Sequence, residues 1–177
     1  MSANERLRLF CALRLPGDAI VRLGDWQRAE LHGGRLVPPG NLHVTLAFLG
    51  SRPAGELTAI VNVLRAAALD TGPVRFRVRG YRETRSVGML TLEDEAGRAT
   101  ALAGRLHTGL EALGAYRPES RPWLPHVTVL RFQERPRLEP ALPDLGEVMP
   151  SDAAVFISRL RPGGAEYESV ETVALGG

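Results

Sequence analysis

Two stretches of the chain, NLHVTLAFLG at residues 41–50 and PHVTVLRF at 125–132, carry the same three residues, His-Val-Thr, in apolar surroundings. In an extended strand, residues i and i+2 point to the same face. His43 and Thr45 therefore share a face, with Leu42, Val44 and Leu46 on the other. His126 and Thr128 share a face in the same way, with Val127 and Val129 packed behind. Each strand presents an imidazole beside a hydroxyl from an apolar anchor. Nine of the 177 residues are threonine. A given histidine thus meets a threonine two places on with a chance of roughly 5%, and two such hits among four histidines are a coincidence on the order of 1–2%. Either histidine alone reads as a structural strand residue; the pair reads as chemistry. His32 in LHGG and His107 in LHTG lack the pattern and read as helix-surface or helix-end residues.

Three kinds of chemistry use two imidazoles and two hydroxyls. A metal site is poorly provided for, because neither motif has a carboxylate or third histidine near it in sequence. A threonine nucleophile activated by histidine leaves the duplication unexplained. The third use is an acid–base pair around a phosphodiester. In-line displacement at phosphorus needs a base on the attacking side, an acid on the leaving side and donors for the non-bridging oxygens. Two facing H-x-T strands supply that set. They do not say which histidine is the acid and which the base.

All 22 basic residues are arginine, and there is no lysine. That excludes a lysine adenylate, a lysine Schiff base and a Walker lysine. The net charge of +2 indicates no strong nucleic-acid-wrapping field, although arginine suits bidentate phosphate contact. The one cysteine, Cys11, lies among apolar residues in RLFCALRL and reads as a buried strand residue. No run approaches the ~20 apolar residues of a membrane span, and MSANERLRLF has no apolar core of signal-peptide length. A cytoplasmic protein is expected.

The elements that must position the motifs follow from periodicity. Residues 6–16 alternate as a half-buried strand, and 41–49 form another. Residues 16–34, 54–72 and 97–114 read as helices, each closing on glycine. Strands are expected at 74–82, 87–94 and 121–132, and two more within 152–175 around a Pro-Gly-Gly turn. Residues 133–150, with four prolines, read as a long surface loop. Arg75, Arg77 and Arg79 read as an exposed sheet face, and Trp26 and Trp123 as core. The mixture, without regular βαβ alternation, predicts an α+β fold. Its mainly antiparallel sheets form two similar lobes, with helices on the outer faces and a cleft between. Residues 1–177 are read as a single bilobal domain.

The opening RLFCAL, then VPPGNLHVTLAFLG, RPWLPHVTVLR and a last strand containing YE together resemble the bacterial RNA 2′,3′-cyclic phosphodiesterase or 2′-5′ RNA ligase family, within the two-histidine phosphoesterases. The resemblance covers nearly the whole chain. It implies opening of 2′,3′-cyclic phosphate RNA ends to 2′-phosphomonoesters, without metal or cofactor. The implied roles are His43 as proton donor to the departing 3′-oxygen and His126 as proton acceptor from water. Thr45 and Thr128 would donate to the phosphate oxygens. The resemblance also implies Arg131 near the phosphate and Phe48 stacked on a base. Strict alternation turns both away from the histidines, so Arg131 would need a bulge or strand end, and core packing is the other reading of Phe48. Tyr167 matches a family tyrosine to which no role attaches. The expected partner is RNA with a 2′,3′-cyclic end or a cyclic nucleotide, acted on by a monomer. Two alternatives stand beside this reading: an ATP-independent 2′-5′ ligase of tRNA halves, and a non-catalytic RNA-end or nucleotide-binding module.

Overall fold

The computed structural model describes residues 4–176. The alternating residues Arg6–Arg14 form the first strand, β1. It is not half-buried: Leu9 through Leu13 are all buried. The reason is its central place, between β3 (His43–Pro53) and β7 (Asp152–Arg161). Phe10, on the face that alternation leaves open, is covered by the rings of Phe156 and Tyr167 at 5.0 and 4.8 Å. Burial pushes the Cys11 thiol up to about 12, so it stays a neutral packing residue.

The other strands are β2 (Arg35–Leu36), β4 (Phe76–Glu83), β5 (Val87–Asp94), β6 (His126–Arg131) and β8 (Gly164–Ala174). They join in the order β4-β5-β6-β3-β1-β7-β8, with β2 also on β6. Every pairing is antiparallel. β3 and β6 share one pair, Val44 with Val127. The expected lobes are therefore two halves of one curled sheet, and each half brings one His-Val-Thr strand to the seam.

Helix α1 (Gly17–Glu30) lies within the expected segment but stops before the glycine pair, because Leu31 is already extended, and it packs behind β6. The segment 54–72 starts as a short 3-10 turn, Ala54–Glu56, before α2 (Leu57–Leu69), which lies on β7 and β8. Helix α3 (Arg98–Ala112) packs on α2, β3 and β5. It ends at Gly114, whose φ of +71° lets its N–H reach the Glu111 carbonyl while that of Ala115 reaches Leu110. No helix among the described residues is long and apolar enough to cross a membrane.

Two expectations need correction. Regular pairing at 121–132 begins only at His126, because Pro122 and Pro125 keep the preceding residues out of the ladder. Residues 133–150 are more than a surface loop. Leu145, Val148 and Pro150 are buried, and Val148 bridges to Phe76. Trp26 donates to the Ala141 carbonyl at 2.6 Å. The Glu83 carboxylate accepts from Tyr81, the Leu138 N–H and Arg135. Arg75 and Arg77, on the exposed side, are paired with Glu147.

Candidate active site

The imidazoles are held alike. His43 Nδ1 lies 2.8 Å from the carbonyl of Asn41, and His126 Nδ1 lies 2.8 Å from that of Leu124, each two residues upstream. A carbonyl can only accept, so Nδ1 carries the proton and donates. In the neutral rings both Nε2 atoms are then left with a lone pair toward the cleft. Thr45 Oγ1 lies 2.8 Å from His43 Nε2 and donates to it.

Beyond the threonines both strands break alternation in the same way. Thr45 pairs with Ala12 and Ala47 with Cys11, which leaves Leu46 as an extra residue. Thr128 pairs with Met89 and Leu130 with Gly88, which leaves Val129 extra. Each is a β-bulge three residues after the histidine, and it shifts the later residues of its strand by one face. Phe48, 63% exposed, and Arg131 are thereby turned to the side of the histidines.

A bulged residue leaves its carbonyl outside the regular ladder. At Leu46 the carbonyl accepts from His107 Nε2 of α3 at 2.7 Å. At Val129 it accepts from Gln27 Nε2 of α1 at 2.8 Å and from the Val37 N–H at 3.1 Å. His107 is thus not a helix-surface residue: half-buried, it stacks on Tyr116 at 4.6 Å and pins a strand. Trp123, read as core, is half-buried and donates to the Thr45 carbonyl at 3.0 Å.

His43, Thr45, Phe48, His126, Thr128 and Arg131 all line one cleft. Among the described residues, no carboxylate lines it. Sequence reasoning missed three of its residues. Tyr167 packs edge-on against His43 at 5.4 Å. The Asn41 carbonyl accepts from His43 Nδ1–H, and its Nδ2 donates to the Ala165 carbonyl at the start of β8 at 2.8 Å. Arg35 reaches the cleft from β2. Only Tyr167 carried a signal, its match to the resemblance; the other two depend on pairings made across the fold.

Burial against Phe10, Phe156 and Tyr167 lowers His43 to about 4. The Asn41 hydrogen bond opposes that fall, and His126 and Arg131 add repulsion to it. In the free cleft at neutral pH, His43 is uncharged.

The sequence pattern of the 2′-5′ RNA ligase superfamily matches residues 16–161. An RNA 2′,3′-cyclic phosphodiesterase of Thermus thermophilus is 32% identical over 183 aligned positions, 97% of this chain and 91% of that protein. One from Escherichia coli is 30% identical, covering 72% of this chain and 73% of its own length. A crystal structure of a Thermus thermophilus protein superposes with a TM-score of 0.84 at 33% identity, over 97% of this chain and 99% of that one. The match spans both His-Val-Thr strands and the helices that pin them, and on it the chain belongs to the 2′-5′ RNA ligase superfamily.

Proposed function

We propose that the protein hydrolyses 2′,3′-cyclic phosphate ends of RNA to 2′-phosphomonoesters by acid–base catalysis with two histidines. One observation carries the reading: two imidazoles line a single cleft, each with Nδ1–H tied to a carbonyl two residues upstream, which leaves Nε2 as the nitrogen for proton transfer. His126 Nε2 takes a proton from water as the oxygen attacks phosphorus. The P–O3′ bond breaks, and His43 Nε2–H delivers a proton to the departing 3′-oxygen. Thr45, Thr128 and Arg131 hold the non-bridging oxygens, and Phe48 stacks on the terminal base.

The low value of His43 fits a donor. A phosphate anion bound beside the ring favours its charged form, against the desolvation that chiefly holds the value down and the lesser repulsion from His126 and Arg131. A ring that binds its proton weakly in the empty cleft also surrenders it readily to an alkoxide. Protonation of Nε2 ends its acceptance from Thr45, and the hydroxyl proton is freed to turn toward the phosphate. A cleft without carboxylates offers a metal only two histidines, a poor set.

The test is product analysis on an oligonucleotide with a 2′,3′-cyclic end. A 2′-phosphate product with a bell-shaped pH–rate profile is expected; a 3′-phosphate contradicts the assigned leaving group. A 5′-hydroxyl in place of water uses the same four residues to make a 2′-5′ bond. With no lysine to adenylate, that ligation proceeds without ATP. Rates with and without a 5′-hydroxyl partner separate the two.

A further inference from the structure

The pairing of β2 with β6 sets Arg35 directly opposite Arg131. Opposed residues of an antiparallel pair project to one face, and like charges placed so repel. Neither arginine has an ion-pair partner among the described residues, whereas Arg77 is met by Glu147 and Arg159 by Glu168. No acid among the described residues of the cleft wall relieves the pair.

The Arg35 head is nonetheless positioned. Nη1 donates to the Gly163 carbonyl in the β7–β8 turn at 2.8 Å. Gly164, at φ +124°, leaves the space it lies in, since a Cβ there would meet guanidinium atoms at 3.1–3.2 Å. Two adjacent cations without a carboxylate form a place for an anion. β3 and β6 run in opposite directions from their shared pair. Phe48 and Arg131 therefore leave the histidines toward opposite ends of the cleft: one end is aromatic, the other holds two guanidinium groups. The terminal nucleotide of a cyclic-ended RNA has one base, and one phosphodiester joins it to the preceding nucleotide.

We propose that Arg35, beside Arg131, binds the phosphodiester immediately 5′ of the terminal nucleotide, which makes oligonucleotide ends, rather than free cyclic mononucleotides, the favoured substrate class. The inference rests on the hydrolase reading above. Arg131 is shared between the reacting phosphate and this one; Arg35 serves the second alone.

The experiment compares kcat/KM on a cyclic-ended dinucleotide with that on the matching nucleoside 2′,3′-cyclic phosphate. Wild-type protein is expected to favour the dinucleotide, and Arg35→Gln to reduce that ratio about tenfold, as for a lost charge-assisted hydrogen bond. A dinucleotide with an uncharged methylphosphonate linkage should lose the same advantage with wild-type protein, which keeps the test independent of how the variant folds. Arg35→Gln should then cost nothing more on that substrate. The subsite is overturned if wild type shows no preference, if the neutral linkage keeps it, or if Arg35→Gln lowers both substrates in parallel. Absence of turnover on either substrate by wild type removes the hydrolase reading, and the subsite with it.

Discussion

From His43 to Phe48 and from His126 to Arg131, exposure follows the same pattern residue for residue. The histidines are tethered to carbonyls at the same offset, and both strands bulge at the same place. Both bulges are pinned by a polar side chain from the helix behind. What differs is the lining. His43 sits on three aromatic rings, while no ring packs on His126 among the described residues. Five residues on from its histidine, one strand carries Phe48 and the other Arg131. The shared backbone brings two groups of one kind into one cleft; under the proposed mechanism, the unlike lining is what would set their proton duties apart. Symmetry alone would leave the direction of the reaction undetermined.

The comparison breaks most sharply on the histidines. His43→Ala and His126→Ala should each lower turnover of cyclic-ended RNA by about 10²- to 10⁴-fold. A nucleotide ester with a p-nitrophenolate leaving group needs no acid, so it should restore much of the rate to His43→Ala and little to His126→Ala. The opposite rescue would exchange the two roles. Next come the hydroxyls. Thr45→Val and Thr128→Val should each cost about 10²-fold in kcat, as for one lost donor to a charged transition state. Only Thr45→Val should also move the acidic limb of the pH–rate profile, because Thr45 bonds to a histidine and Thr128 has no such bond among the described residues.

A third difference shows in stability. His43 is depressed to about 4 in the fold against 6.5 in a free chain. Its contribution is present in full above about 6.5, declines as the unfolded chain takes up a proton between about 6.5 and 4, and falls no further below. Urea melts across that window should show a slope that His43→Asn flattens. The smallest effects belong to Arg131 and Phe48. Arg131→Gln should weaken kcat/KM about tenfold with a shallower salt dependence. Phe48→Leu should weaken it about fivefold with the salt dependence unchanged. A salt effect from Phe48→Leu would mean the two positions are not chemically distinct.

Most of the architecture was legible in the sequence, because strands and helices of this length carry their own periodicity and stops. The pairing of the two motifs was legible because each repeats a type, a spacing and an apolar flank. What escaped depends on contacts between distant segments. Alternation assigned Phe48 and Arg131 to the wrong face, since a bulge is a two-strand property. Gln27 and His107 gave no sign of their task, each being read within its own helix. Arg35 belongs to a two-residue strand with no pattern of its own, and its meaning comes from Arg131, far along the chain.

The paired bulges also bear on which sequence changes the protein can tolerate. A substitution at Leu46 or Val129 alters packing and leaves the reading frame of the strand alone. Removing one residue there restores strict alternation and sends Phe48 or Arg131 to the core side, where a ring could still be accommodated and a guanidinium could not. Deletions in this part of the first strand should therefore be survivable as folds that have lost a base contact, and deletions in the second should not be survivable at all.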